Sequence, residues 1–320
     1  MYCYNNNRQF NTTTSIASAK KLTHKIIAII AISLLTPLSQ AQTERWQDHQ
    51  LFEQNKQPPH ASFFGYSSLT NALIDEQQRS ENFIDLSGRW QFHYANNPFV
   101  AQIQANLVDW QSIQVPGNWE TQGFGHAIYL DERYPFSTTW PNAPEDHNPT
   151  GSYRREFKLP DTWQDKQVFL HIGAARSALS AHVNGVEIGY SQGAKTPAEF
   201  DITAELQQGN NLIALQIIRW SDASYLESQD MLRVSGIERD VYLYATEKQR
   251  IADIDASYSL NDDLSKASMA INISLTNHQK TAIEAGKLQL HYQLLSPEGM
   301  TISQGEQAVT KLTNSLQQTL

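Results

Sequence analysis

Cysteine is almost absent from this chain of 320 residues, whose single cysteine is Cys3. With no second thiol the chain can form no internal disulfide and offers no thiolate cluster to a metal ion. Cys3 precedes an apolar run that is expected to be removed, so the mature chain is expected to contain no cysteine. A large core can supply the stability that small secreted domains obtain from disulfides.

Positive charge is also scarce, with 24 lysines and arginines against 33 aspartates and glutamates, for a formal charge of −9 at pH 7. Nucleic acids and anionic membrane surfaces attract basic patches, and this balance argues against both as partners. A neutral, hydroxylated partner such as a glycan is compatible with it.

Long apolar runs are absent except near the start, where Ile26–Leu35 is apolar. This run has about half of the ~20 residues that a membrane span needs, so no stable span is predicted. The segment before it is basic and contains no acid, and the small residues Ser39 and Ala41 follow it. The pattern predicts a signal peptide over 1–41 and a periplasmic or secreted protein, with an uncleaved membrane tether as the alternative.

The sequence after Phe83 lacks a helical period of useful length. Short runs of strand-forming residues alternate with Gly, Pro and Asn, and Asn184-Gly185 predicts a two-residue hairpin turn. The fold class is therefore predicted as all-β, with a jelly-roll sandwich over 83–249. The preceding segment, 42–82, is predicted as an irregular lead-in with one short helix over Thr70–Ser80.

Two further regions are informative. Tyr134–Ser152 contains four prolines and is predicted as a long surface loop, which in a compact domain is usually functional. Residues 250–320 contain four alternating segments that predict the first strands of a second, immunoglobulin-like sandwich. Because such a sandwich needs about seven strands, we expect this domain to be incomplete and the chain to be the front part of a longer protein.

The segment Arg219–Val241 combines acids and aromatic rings between two apolar strands. Its sequence is RWSDASYLESQDMLRVSGIERDV. Aromatic rings can cover the C–H face of a pyranose, while carboxylates accept hydrogen bonds from its hydroxyls or bind a cation. This segment is therefore the predicted sugar site.

The same segment resembles the corresponding stretch of bacterial β-galactosidases in glycoside hydrolase family 2. The resemblance extends from Trp46 to about Leu260 and includes several further motifs in the same order. These are LSGRWQF at 86–92, VPGNW at 115–119, NPTGSY at 148–153, GYSQ at 189–192 and EFD at 199–201.

The resemblance implies an exported enzyme that hydrolyses terminal β-D-galactosyl residues with retention. Such hydrolysis needs two carboxyl groups about 5–5.5 Å apart, and the family carries its catalytic glutamates on a TIM barrel that follows the sandwiches. This chain lacks the strand–helix alternation of a barrel. We therefore expect the barrel to be missing, no catalytic residue in this chain, and an inactive fragment. A carboxyl pair within the acidic loop itself, among Asp222, Glu227, Asp230 and Asp240, stays an open alternative.

The resemblance also implies roles for individual residues. Asp230 corresponds to the carboxylate that contacts the galactose 6-hydroxyl and a sodium ion, and Asp131 replaces the usual substrate-contacting asparagine. Asp222 and Gln192 correspond to positions that hold a structural Mg²⁺. Asp230 could instead pair with Arg233, and Asp222 and Gln192 could simply form a turn and a hydrogen bond.

Other functions are compatible with the same pattern. Within the family, β-glucuronidase and β-mannosidase share the plan, although the Gln229-Asp230-Met231 triplet favours galactose. A non-catalytic carbohydrate-binding sandwich and an adhesion sandwich are the alternatives outside it. A homo-oligomer is compatible with all of them. Trp119 and Trp220 are predicted to lie in the core rather than to stack on sugar.

Overall fold

The computed structural model of the chain describes residues 44–101, 103, 109–131, 133–279 and 281–319. The predicted signal peptide, residues 1–41, lies outside the described residues. No helix within the described ranges combines the length and apolarity that crossing a bilayer requires.

Strands dominate the described part of the chain, as the all-β prediction requires. The strands up to Thr246 are β1 (Glu53–Gln54), β2 (Phe83–Asp85), β3 (Gly88–Ala95), β4 (Gln111–Val115), β5 (Gly117–Asn118), β6 (Ile128–Leu130), β7 (Thr150–Lys158), β8 (Gln167–Ile172), β9 (Ala175–Arg176), β10 (Ala178–Val183), β11 (Val186–Ser191), β12 (Ala198–Asp201), β13 (Asn210–Ile218), β14 (Met231–Arg233), β15 (Gly236–Ile237) and β16 (Val241–Thr246). The later strands are β17 (Gln249–Leu260), β18 (Ala267–Asn277), β19 (Gln289–Leu295), β20 (Thr301–Ala308) and β21 (Ser315–Thr319).

Helices are few and short. The described α-helices are α1 (Leu69–Ile74) and α2 (Ser224–Glu227). Single 3₁₀ turns occur at Arg45–Gln47, Gln77–Arg79, Glu120–Gln122, Asp161–Trp163 and Thr203–Glu205.

Two sheets form a β-sandwich around one large core. The seven-stranded sheet has the order β1-β11-β10-β13-β7-β3-β4, and the four-stranded sheet has the order β12-β8-β16-β2. Their inward side chains belong to a single hydrophobic cluster, in which Phe92 and Tyr153 come from the first sheet and Leu170, Phe200 and Leu243 from the second. Each of these five side chains is completely buried. The predicted all-β sandwich is confirmed, while its jelly-roll connectivity stays a prediction.

The hairpin between β10 and β11 shows how local sequence fixes the register. Asn184 and Gly185 both have positive φ values, 50° and 87°. This is the type I′ geometry, whose twist matches that of the flanking strands. Val183 pairs with Val186 directly beside the turn, so the predicted two-residue turn is confirmed.

The lead-in segment is more ordered than the sequence predicted. Its strand β1 pairs antiparallel with β11, with Gln54 opposite Tyr190, and so forms an edge of the seven-stranded sheet. The expectation of irregular structure was wrong at this strand, because two residues are too few to show strand alternation. The predicted helix is present but ends at Ile74, before Asp75 with its φ of 54°.

A buried carboxylate attaches the lead-in segment to the four-stranded sheet. Glu199 on β12 accepts from His60 Nε2 at 2.9 Å, from His171 Nδ1 at 2.6 Å and from the Tyr244 hydroxyl at 2.8 Å. His60 Nδ1 lies 2.8 Å from the carbonyl of Ala61. Since both ring nitrogens of His60 face acceptors, the charged imidazolium is the form that satisfies both.

The C-terminal part of the described chain contains two small sheets. One has the order β17-β18-β21 and the other pairs β19 with β20. All four predicted strands are present, and β21 is a fifth that its polar sequence did not reveal. A small core forms around Ile273 and Leu275, whereas Tyr258, Met300 and Ile302 are exposed. The boundary at residue 250 and the immunoglobulin-like assignment stay predictions.

Candidate functional site

Two short strands of the acid-aromatic segment between β13 and β16 form three pairings with strands from elsewhere in the chain. Its strand β14 pairs with β6, and its strand β15 pairs with both β5 and β9. The turn of helix α2 lies between β13 and β14. The sequence predicted a loop here, but the structure shows short ordered elements whose pairings fix the positions of the acidic side chains.

The pairing of β6 with β14 brings the two predicted substrate ligands to one place. Met231 lies opposite Leu130 in the last pair of this ladder, so Asp230 and Asp131 are the next residues beyond the same end of the two strands. Both residues are exposed. The Tyr129 hydroxyl donates to Asp230 Oδ1 at 2.6 Å, and this hydrogen bond to a carboxylate raises the pKa of Tyr129.

Two carboxylates at one end of a strand pair repel each other. A bound cation would relieve that repulsion, and exposed carboxylate oxygens are hard ligands of the kind that sodium accepts. The donor set of Asp230 and Asp131 therefore fits a small hard cation. It equally offers two acceptors to the hydroxyl groups of a sugar.

Buried arginines lie beneath this strand pair. Arg233 is 1% exposed and donates from Nη2 to the carbonyl of Leu130 at 3.1 Å. Arg219 donates from Nη2 to the carbonyl of Arg233 at 2.7 Å. Burial lowers the pKa of both guanidinium groups. Their hydrogen bonds tie β6, β14 and the end of β13 together and place positive charge under Asp230.

One buried carboxylate balances part of that charge. A Glu120 side-chain oxygen lies 3.5 Å from Arg219 Nη2, and the other accepts from the Ser235 backbone amide at 3.0 Å. Burial raises the pKa of Glu120. Neither Glu120 nor Arg219 was predicted from the sequence as a site residue. For Arg219 the sequence did contain a signal, namely a charged residue directly after the apolar strand β13, because charged residues are rarely buried.

The predicted magnesium ligands also lie together. Gln192 Nε2 donates to Asp222 Oδ1 at 2.8 Å and to the Tyr190 hydroxyl at 2.7 Å. Burial raises the pKa of Asp222, and a nearby cation would offset that cost by favouring the carboxylate form.

The donor set here is small for a metal ion. No group of three or more His, Cys, Asp and Glu side chains within the described ranges is arranged to hold a metal. Magnesium often binds proteins through one or two carboxylates and keeps several waters. Asp222 fits that mode, and Gln192 would join it only with its amide oxygen turned toward the ion.

Three carboxylates of the acidic segment are bound to separate partners. Glu227 Oε1 accepts from the backbone amide of Ala194 at 2.9 Å, while Asp222 bonds to Gln192 and Asp230 to Tyr129. A pair of hydrolytic carboxyl groups would have to share one substrate-sized space. The observed contacts instead suit binding and support of the loop.

The predicted core positions of two tryptophans are confirmed. Trp119 is completely buried and Trp220 is 6% exposed. Trp119 packs against Phe92 in the main core, and Phe136 packs against Trp220. Neither ring is available to stack on a sugar.

Together these features define a β-sandwich whose loops present carboxylates and aromatic rings at one site. The family model described as "Glycosyl hydrolases family 2, sugar binding domain" matches residues 83–247, slightly more than half of the chain. The chain therefore belongs to glycoside hydrolase family 2, and the resemblance described from its motifs is confirmed.

Curated relatives agree with this assignment. The chain is 36% identical over 244 residues to a protein of Priestia megaterium named beta-galactosidase, a match that covers 73% of this chain and 24% of that protein. It is 37% identical over 222 residues to a beta-galactosidase of Klebsiella pneumoniae, covering 68% and 21%. The chain thus spans about a quarter of the length of the curated relatives that it matches.

Solved structures share the fold. A Bacteroides uniformis beta-glucuronidase superimposes with a TM-score of 0.58 at 22% identity, over 74% of this chain and 27% of that one. A beta-D-mannosidase from Dictyoglomus thermophilum gives a TM-score of 0.53 at 16% identity, over 74% and 30%. At these identities the likeness concerns the fold and does not distinguish between substrates.

Proposed function

We propose that this chain is the sugar-binding front part of an exported β-galactosidase that removes terminal β-D-galactosyl residues with retention. In this proposal Asp230 and Asp131 contact the terminal galactose, and the catalytic glutamates lie on a barrel that this chain does not include. The observation that carries it is the β6–β14 pairing, which brings two exposed carboxylates to one end of this strand pair.

The immediate surroundings of these carboxylates support a binding role. The Tyr129 hydroxyl donates a 2.6 Å hydrogen bond to one oxygen of Asp230. Arg233 donates a hydrogen bond to the carbonyl of Leu130, next to Asp131. A carboxylate held in this way loses little freedom when a sugar hydroxyl donates to it. Preorganised acceptors of this kind raise the rate if their contacts strengthen in the transition state.

The proposal includes two ions. Asp230 would hold sodium beside the sugar, because a cation relieves its repulsion with Asp131. Asp222 and Gln192 would hold magnesium as a support for the loop. Chelation of magnesium is then expected to destabilise the loop and so to lower activity. Replacement of sodium is expected to change KM for the galactoside.

The choice of galactose rests on relatives rather than on fold. The curated proteins that match at 35–37% identity are named beta-galactosidase, whereas the solved glucuronidase and mannosidase match at 22% or less. The chain also keeps the Gln229-Asp230-Met231 triplet.

A substrate panel tests the proposal. The complete enzyme that contains this chain is assayed with the aryl β-galactoside, β-glucuronide and β-mannoside of one leaving group. The proposal predicts that kcat/KM is highest for the galactoside. A preference for either other sugar would overturn the galactose assignment, and binding of galactose with no turnover of any of the three would favour a non-catalytic carbohydrate-binding module.

A further inference from the structure

An exposed tryptophan is presented on the long loop between β6 and β7. Trp140 is 60% exposed, and it alone among the described tryptophans is exposed. Its inner face stacks on Tyr225, with ring centroids 3.9 Å apart and an angle of 30° between the planes. The ring of Tyr134 meets it edge-on at 5.6 Å. One face of the indole is therefore covered by protein, which leaves the other for solvent.

Hydrogen bonds hold the two tyrosine rings that pack against Trp140. The Tyr225 hydroxyl donates to the carbonyl of Asn142 at 2.8 Å and accepts from the backbone amide of Thr139 at 3.1 Å. The Tyr134 hydroxyl donates to the carbonyl of Tyr225 at 2.9 Å. Because these bonds flank Trp140 along the chain, the ring is held in place before any ligand arrives, and binding costs little ordering of the side chain.

The surroundings of Trp140 suit a hydroxylated ligand. Ser137, Thr138 and Thr139, which precede it, are all exposed, so the ring lies among groups that can bond to hydroxyls. The supporting residues Tyr134 and Tyr225 are joined by a hydrogen bond of 2.9 Å, and they lie three residues after Asp131 and five residues before Asp230 along the chain. Trp140 therefore stands on the segments of the chain that carry the two site aspartates.

We propose that Trp140 is a stacking platform for a second pyranose unit of an oligosaccharide whose terminal galactose binds at Asp230 and Asp131. The C–H face of the sugar would lie on the exposed indole face, with hydroxyls directed to the polar rim. This makes galacto-oligosaccharides the ligand class. The choice of galactose rests on the proposed function, whereas the platform itself rests on the aromatic stack.

Binding to the 320-residue chain tests the platform, with β-1,4-galactotetraose as the probe and cellotetraose as the comparison. Titration calorimetry gives the affinity, and acrylamide quenching of tryptophan fluorescence reports mainly on Trp140, because Trp110 is half-buried and the other described tryptophans are buried. We expect the tetraose to protect the fluorescence. We expect Trp140→Ala to weaken binding about tenfold or more, and Trp140→Phe, which keeps a ring, to recover part of that loss.

Leu226 supplies the matched control, because it follows Tyr225 in the chain and is 84% exposed. Sugar stacking requires Trp140 but not Leu226, so Leu226→Ala should bind the tetraose as the native chain does. Unchanged affinity in Trp140→Ala, or no measurable binding by the native chain, would overturn the proposal. It would also be overturned if both alanine variants changed the sedimentation mass, since that result identifies a protein interface. If activity of the complete enzyme fell when Asp230 was replaced but not when Trp140 was replaced, the stacking platform would be refuted and the proposed function would stand.

Discussion

Replacement of Glu199 by glutamine is expected to destabilise the sandwich substantially. Glu199 is 8% exposed and accepts from two histidines and one tyrosine at 2.6–2.9 Å. A hydrogen bond to a charged group contributes about 1.5–3 kcal/mol, and breaking a buried pair on one side costs about 3–5 kcal/mol. Glutamine keeps one acceptor but removes the charge. We therefore expect Glu199→Gln to lose about 3 kcal/mol, or roughly 6–12 °C in Tm.

The dependence on pH gives this prediction its specific signature. The hydrogen bond with Glu199 raises the pKa of His60 above 6.5, so its stabilising contribution is complete below pH 6.5 and is lost as pH rises through the raised value. Hydrogen bonds from His171 and His60 hold the pKa of Glu199 well below 4.5, although burial opposes them. Its contribution is complete above pH 4.5 and is lost as pH falls through the lowered value. The network is strongest between about pH 4.5 and 6.5.

Thermal melts of the native chain and the variant at several pH values measure this difference. A matched control is Glu306→Gln, because Glu306 faces His291 at 3.5 Å but both side chains are about two-thirds exposed. An exposed pair contributes about 0–1 kcal/mol, so this variant should melt like the native chain. Equal melting of Glu199→Gln and the native chain at pH 5.5, or a difference that does not vary with pH, would refute the reasoning.

Three further predictions concern export and activity. The mature protein should begin at Gln42 and be recovered outside the cytoplasm, and mass spectrometry that finds an intact Met1 in a cytoplasmic pool would contradict this. Residues 42–320 alone should hydrolyse no aryl galactoside, because the described part of the chain contains no barrel, so turnover retained after repurification would place the catalytic pair here. In the complete enzyme Tyr129→Phe, which removes the hydrogen bond to Asp230, should lower kcat/KM about tenfold, and native kinetics would show that this bond is not used.

Local sequence was sufficient to predict the elements that local rules determine. The Asn184-Gly185 turn requires positive φ at two residues, and few residue pairs other than this one supply it. The strand β13 is apolar along most of its length because it lies inside the seven-stranded sheet. The core positions of Trp119 and Trp220 followed from their strand-rich surroundings.

Features that depend on distant contacts could not be predicted in the same way. Strand β1 exists because β11 offers it an edge, and a two-residue strand has no pattern of its own. The buried position of Arg233 depends on the carbonyl of Leu130, which is 103 residues away along the chain. The resemblance selected Asp230 and Asp131 separately, but only the pairing of β6 with β14 places them at the same end of one strand pair.

The most direct test of the central proposal is the kinetics of Asp230→Asn in the complete enzyme. Asparagine keeps the shape of the side chain and removes the charge that would serve sodium and the sugar. We predict a fall in kcat/KM on galactosides of about 10²-fold, or about 2.7 kcal/mol of transition-state stabilisation. Tm should change little because Asp230 is exposed, and activation by sodium should weaken.

Asp262→Asn is the matched control, since Asp262 is an exposed turn residue between β17 and β18 and should leave kcat/KM, Tm and the sodium response unchanged. The proposal predicts a large kinetic loss at Asp230 alone, with folding intact. Near-native kcat/KM in Asp230→Asn, or unfolding of that variant, would contradict it and show that Asp230 is a structural residue.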